Sequence, residues 1–262
     1  MASARKSGFP MLYYREYRRI VRVIKQTVFT PLINTGLYLM IFGVSLGESI
    51  TMDTGFSYLV FLIPGLVMMG ALNNSFQNTS SSVTNSKFHG ELQDLRVMPL
   101  SYSSIVWALC LGGLTRGLMV GGLIGMMGFV FNYFYYGDLL GVAHPFLLFA
   151  FLIIGSLIFA QIGIAVAFWA SSFEQLSAVG NFILLPLMYL GGVFYSIDGL
   201  SPVWQNISKL NPLFYLINGV RFGMLGKSDV EPYFALSVSL VSFVVLFFVA
   251  RNCVKNGKYQ RF

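Results

Sequence analysis

Six apolar stretches, residues 28–47, 58–80, 105–134, 145–170, 176–196 and 233–250, occupy most of this chain of 262 residues. A helix needs roughly 20 apolar residues to cross the hydrocarbon core of a bilayer, and each stretch is of that order. Backbone polar groups in hydrocarbon must be satisfied inside the protein, so these stretches fold as helices. Composition agrees: 56% of residues are hydrophobic, 10% are charged, and the mean hydropathy is +0.70. Too little chain remains for a soluble domain. The expectation is an all-α integral membrane protein with six transmembrane helices, divided into an N-terminal segment 1–27, a membrane domain 28–250 and a tail 251–262. The third stretch exceeds a straight crossing, so it should tilt or project into water.

Charge sets the orientation. Seven of the 17 basic residues precede the first stretch, where the apolar run is too long for a cleavable signal peptide and lacks a small-residue cleavage site. With the N-terminus in the cytosol, Lys87, Arg96, Arg251, Lys255, Lys258 and Arg261 also fall inside, against Lys209, Arg221 and Lys227 outside. The positive-inside bias therefore puts both termini in the cytosol. The short loops 48–57, with Glu48 and Asp53, and 137–144 hold no basic residue, as outside loops should. The net charge of +7 is then a topology and lipid-surface signal that calls for no nucleic acid.

Three segments carry more pattern than a connection requires. Residues 12–28 form an amphipathic helix, with Tyr13, Tyr17, Ile20, Ile24 and Val28 on one face and Arg15, Arg18, Arg22 and Lys25 on the other. Such a helix lies in the membrane interface, its basic face meeting anionic lipid or an acidic protein, as a plain anchor or as a lever. Segment 82–101 reads as a short cytosolic helix ended by Pro99. Phe88, Leu92 and Leu95 fall at i, i+4 and i+7 on one apolar stripe, and Lys87, Glu91, Asp94 and Arg96 spread around the rest. Segment 200–226 is split by Asn211-Pro212 into two pieces, each too short to cross. A seventh span there would put the basic tail outside, so the segment reads as re-entrant half-helices entering from the outer face. Broken backbone at membrane depth must be buried in protein or line a polar cavity, so this piece should cap or gate a pathway.

All ten acidic residues fall in loops, at span ends or in the leading helix. Ion-coupled transporters usually carry a carboxylate within the bilayer, so uphill transport here needs another energy source. His89 and His144 fall on opposite sides of the membrane, and Cys110 and Cys253 have no metal-ligand spacing and read as packing residues. Gly226-Lys227-Ser228 resembles the end of a phosphate-binding loop, but the position that needs the first glycine holds Arg221. The chain itself is thus expected to hold no metal, cofactor or catalytic residue.

Arg116 lies deep in the third stretch, where a central arginine costs roughly 2.5–3.5 kcal/mol. It should face a polar interior or a subunit interface, with backbone carbonyls or Asn34, Asn181 or Gln161 as partners; clamping helices and contacting substrate both fit. Gly113, Gly117, Gly121 and Gly125 recur every four residues and permit close helix approach, within one subunit or at a dimer seam. Asn73, Asn74, Gln77 and Asn78 end the second stretch and are placed to line an entrance. Phe129, Phe131, Tyr133, Phe134, Tyr135 and Tyr136 suit an interfacial aromatic belt. The tight return between 170 and 176 has Glu174 as its only charge, a second and smaller contact point for a cytosolic partner.

Three motifs gather these features: Lys87-Phe88-x-Gly90-x-Leu92-x-x-Leu95 through Pro99-Leu100-Ser101; Pro186-Leu187-x-Tyr189-Leu190-Gly191-Gly192-Val193-Phe194-Tyr195-Ser196 with Trp204 beyond; and Asn211-Pro212 through Tyr215, Gly219, Arg221 and Gly226. Across nearly its whole length the chain resembles the permease subunits of type-2 ABC exporters, the bacterial group that moves drugs, lipo-oligosaccharides and lipid-linked polysaccharides. Ser201-Pro202 departs from the paired proline that relatives often carry there. The resemblance implies a multi-pass protein of the bacterial cytoplasmic membrane that exports an amphiphilic substrate. It further implies a homodimer, or a pair of like permeases, with two copies of a separate cytosolic ABC ATPase subunit that binds the ATP and Mg. The ATPase contact would fall on Lys87, Phe88, Gly90, Glu91, Leu92, Asp94, Leu95 and Arg96, with a lesser one at Glu174. The leading helix would be an interfacial lever, and Trp204, Asn211, Pro212, Tyr215 and Arg221 an outer gate. The rival readings are an ion-coupled secondary transporter and a membrane-embedded lipid-modifying enzyme.

Overall fold

The structure is a computed structural model and describes residues 2–45, 47, 56–94 and 98–257. Leu95, Arg96, Glu48, Asp53, Lys258 and Arg261 lie outside the described residues. A leading helix α1 (Ala2–Arg22) turns at Val23 into α2 (Ile24–Ser45), regular to Tyr38 and then π-helical over Leu39–Ser45. There follow α3 (Tyr58–Phe88), α4 (Tyr102–Tyr136), α5 (Pro145–Trp169) and α6 (Phe173–Leu190), the last with a π-helical stretch at Val179–Leu184. Two short helices, α7 (Pro202–Leu210) and α8 (Pro212–Leu225), precede α9 (Pro232–Asn256). Among the described residues α2, α3, α4, α5, α6 and α9 are the six helices long and apolar enough to cross a membrane. The protein is a six-span, all-α helix bundle.

Helix starts follow local chemistry. Proline, which lacks the N–H that a first turn leaves unpaired, opens α5, α7, α8 and α9. Ser57, Ser101, Ser172, Asn211 and Glu231 cap helices by accepting a backbone N–H in the first turn. Gly137 and Gly226, both with positive φ, end α4 and α8.

α3 is the centre of the bundle, packed most extensively against α4 and α5. The glycine row of α4 makes that approach possible. A Cβ at Gly113 would lie 2.8 Å from the Ala160 Cβ, and one at Gly117 would lie 2.8 Å from Ser156 Oγ and 2.9 Å from the Ala71 carbonyl. At Gly121 it would meet the Ala71 Cβ at 3.2 Å. These glycines therefore serve packing within one chain. α6, α9 and α2 contribute least to the core, and α6 and α2 leave Phe182, Ile183, Phe29, Ile33 and Leu37 exposed.

Several sequence expectations need correction. The second span does not end at residue 80: α3 continues to Phe88, because Ser82, Val83, Thr84, Ser86 and Lys87 are buried against neighbours and the first helix breaker is Gly90, at φ 79°. The asparagine and glutamine cluster is consequently mid-helix. Segment 82–101 is not one continuous helix: Gly90, at positive φ, interrupts it, a 3-10 turn Glu91–Gln93 follows, and the stripe divides, with Leu92 at 0% exposure and Phe88 at 48%. In α1 the buried positions among residues 8–22 are Leu12, Glu16 and Ile20, while Tyr17, and Ile24 at the start of α2, are exposed. The fifth span begins at Phe173 and stops at Leu190, where Gly191 and Gly192 turn the chain.

Replacing Gly117 by valine should destabilise the protein by about 1–3 kcal/mol through overpacking, whereas Gly122→Ala, whose Cβ meets nothing within 4 Å, should be neutral. Thermal unfolding of the two detergent-solubilised variants compares them directly.

Candidate functional site

One set of polar residues of the membrane domain converges between α2, α3, α4 and α6. One cavity of about 440 Å³ is lined by Arg19, Gln26, Asn73, Gln77, Asn85, Arg116, Ser177 and Asn181 among others. A second, of about 200 Å³, shares Gln26, Asn73, Gln77 and Arg116 with it and adds Thr30, Asn34 and Asn74. The two cavities bring Arg116 together with Asn73 and Gln77, and Asn34 and Asn181 join them; Gln161 is buried elsewhere on α5. Arg116 is only 9% exposed, and its Nε has no hydrogen-bond partner among the described residues. The π-helical stretch of α6 supplies Gly180, Asn181 and Leu184 to the wall, a placement common for such distortions near functional sites.

Arg19 is held differently. Its Nη2 donates to the Asn78 carbonyl at 2.6 Å and to Asn78 Oδ1 at 2.9 Å, while Nη1 donates to Ser81 Oγ at 2.9 Å. Glu16, 1% exposed, accepts from Arg19 at 3.2 Å, from Arg15 at 3.1 Å and from Ser82 Oγ at 2.8 Å. Burial lowers the pKa of Arg19 from its ordinary value, and Glu16 opposes that shift. This node pins α1 to α3, and Tyr13 and Thr115 share a 3.1 Å hydrogen bond that pins it to α4. Of the basic residues read into the interfacial face, Arg18, Arg22 and Lys25 are exposed, and Arg15 is half-buried against Glu16. Sequence reasoning passed over Glu16, although an acid flanked by Leu12 and Ile20 at four-residue spacing was the available signal.

At one end of the bundle the turn after α3 meets the start of α6. Phe88 packs on Phe173 with ring centroids 6.0 Å apart, both rings part-exposed, so the two contact points inferred at 82–101 and Glu174 form one surface. Glu91, Gln93, Asp94 and Glu174 are exposed on it. Lys87 and Leu92 are not. The Lys87 ammonium donates to the carbonyls of Ala170 at 2.7 Å and Phe168 at 3.4 Å, closing the C-terminus of α5, and Leu92 is in a cluster with Leu12, Val83, Ile105 and Phe168.

At the other end Arg221 is the hub of a buried network. Its Nη2 donates to the Gly192 carbonyl at 2.6 Å, its Nη1 lies 3.8 Å from Asp229 Oδ2, and its guanidinium sits 3.9 Å from the Phe61 ring centroid. Asp229 in turn accepts from Ser196 Oγ at 2.8 Å and the Ile197 N–H at 3.2 Å. Asn211, besides capping α8, donates to the Leu187 carbonyl at 2.6 Å. Trp204 and Pro212 are exposed, and the half-buried Tyr215 donates to the Lys209 carbonyl. The break at Asn211 falls where the sequence put it. Asp229, which completes the Arg221 network, was not anticipated.

Residues 8–225 match the family model described as ABC-2 type transporter. The chain belongs to that family. It is 35% identical over 250 residues, 95% of each chain, to the inner membrane transport permease YadH of Escherichia coli K12. It is 26% identical over 215 residues to nodulation protein J of Neorhizobium galegae, covering 82% of this chain and 80% of that one. Against nodulation protein J of Rhizobium leguminosarum bv. viciae the identity is 23% over 246 residues, 94% of this chain and 93% of that one. The protein is a multi-span permease of the bacterial inner membrane and a non-catalytic component, from a family whose permeases pair with ATPase subunits in dimeric transporters. Membership sets aside the ion-coupled and lipid-modifying readings.

Asp229→Ala should leave Arg221 as an uncompensated buried charge and cost roughly 3 kcal/mol, with Asp229→Asn costing less because it keeps one acceptor oxygen, which can serve Ser196. Denaturant titration of the purified variants measures both.

Proposed function

We propose that two copies of this permease, with two cytosolic ABC ATPase subunits that bind ATP and Mg, export an amphiphile from the cytosol or inner leaflet. The observation that carries the reading is the polar cavity around Arg116, walled by α2, α3, α4 and α6 in a permease of an exporter family. α2 and α6 are the helices with the most unpartnered apolar surface on either side of that cavity. A second copy set against them in a homodimer turns two cavities into one central pathway. Both termini lie in the cytosol, which puts the Phe88–Phe173 surface there as well.

The ATPase docks on that surface through exposed Phe88, Glu91, Asp94, Phe173 and Glu174, with Leu95 and Arg96 beside it in the sequence. Gly90 supplies the left-handed turn that presents Glu91. Lys87 and Leu92 hold the surface to the bundle from beneath. ATP-driven closure of the ATPases pushes this end of α3, the leading helix tilts with it through Glu16 and Arg19, and the paired cavities open outward. On the outer side α7 and α8 form the re-entrant cap, locked by Arg221 and Asn211, with Trp204, Pro212 and Tyr215 at its rim. Neither YadH nor nodulation protein J brings a substrate with its name, so the cargo class rests on this chain's own cavity.

The double charge reversal Glu91→Lys, Asp94→Lys alters exposed residues and should leave the unfolding temperature unchanged. Like-charge mismatch at a docking surface should lower ATP-driven export about tenfold and abolish substrate stimulation of ATP hydrolysis. Reconstituted permease and ATPase in proteoliposomes provide both readouts; normal export with unchanged stimulation would overturn the docking assignment.

A further inference from the structure

We infer that the Arg116 cavity is a receptor for an anionic, phosphate-type headgroup, so that the cargo is an anionic amphiphile; this rests on the cavity being the export pathway. Among the residues lining the two cavities, Arg19 and Arg116 are cationic and none is acidic. The two arginines are not equivalent. Arg19 is engaged by Glu16, Asn78 and Ser81, whereas among the described residues the charge acting on Arg116 is a like one, Arg19. An arginine buried at mid-helix, with its Nε lacking a hydrogen-bond partner among the described residues, is an arrangement that an incoming anion completes.

The walls specify the anion's form. Guanidinium donors are arranged as a planar fork that matches phosphate oxygens two at a time. The amides of Asn73, Gln77, Gln26, Asn34 and Asn181 add further donors, and Gln77 Nε2 already orders Asn73 by donating to its Oδ1 at 3.1 Å. A volume of about 440 Å³ admits a headgroup but not two acyl chains, which have the exposed apolar sides of α2 and α6 to lie against. An amide-only cavity would select uncharged glycans; a single unpaired arginine among amides selects a headgroup with one compact anionic centre.

The test uses the full-length permease co-expressed with its ATPase, purified in non-ionic detergent and examined by native mass spectrometry. The probes are dioctanoyl phosphatidic acid, dioctanoylglycerol and inorganic phosphate. Phosphatidic acid should be retained at least about tenfold better than dioctanoylglycerol, and Arg116→Gln should remove most of that preference, as expected for a lost charged hydrogen bond. Arg116→Lys should retain part of it, and Arg251→Gln, an exposed basic residue on α9, should retain all of it. Competition by inorganic phosphate at equal concentration supports the anion site and assigns it to a water-soluble ligand; absence of competition assigns it to the lipid headgroup. Equal retention of phosphatidic acid by the wild type and a normally folded Arg116→Gln protein overturns the inference, as does equal retention of dioctanoylglycerol. Failure of the ATPase to co-purify would count against the exporter reading and leave the binding comparison readable on the permease alone.

Discussion

Helices in lipid gain nothing by hiding apolar surface from each other, since the acyl chains are as apolar as leucine; what they gain is close contact and internal hydrogen bonds. The line where α4 lies against α3 and α5 supplies both. Gly113, Gly117 and Gly121 remove the side chains that would hold the backbones apart, and Ser75 donates to the Gly113 carbonyl at 3.0 Å across the gap. Thr79 does the same to the Ala160 carbonyl at 2.9 Å. Other parts are built onto this seam: α1 rests on α4, and Arg116, one residue before Gly117 on α4, reaches the cavity that Asn73 and Gln77 of α3 also line.

That seam also explains what was legible in the sequence and what was not. Spans were readable because a bilayer imposes a length of about 20 residues, and the break at Asn211-Pro212 because proline leaves the preceding residue little freedom to be helical. The end of α3 was not. Residues 80–88 include Ser80, Ser81, Ser82, Thr84 and Asn85, which look like the exit from a membrane, yet most are buried because small hydroxyls pack and bond at helix crossings as readily as they meet water. Hydropathy measures what a residue prefers and is silent on which neighbour satisfies it.

The same blindness governed the charged residues. Arg116 stood out as a formal charge deep inside a span, and among the described residues no acid lines the cavities that hold it. Glu16 and Asp229 looked ordinary, one in a basic helix and one in a loop, yet each is the acceptor at the centre of a network assembled from distant segments. Polar networks of this kind depend on three-dimensional proximity, so each partner appears unremarkable until the chain is folded.

α3 runs without interruption from the Phe88 end past Gln77 and Asn73. Fifteen residues at a rise of about 1.5 Å put that end roughly 22 Å from Asn73, with neither glycine–serine pair nor proline between them to bend. In the proposed transporter such a rod carries information in both directions. Thermodynamic reciprocity requires that any change in cavity affinity produced by the ATPase's nucleotide state be matched by an equal change in nucleotide affinity when the cavity fills. The rod that drives the cargo is thus also the means by which the motor learns that cargo has arrived.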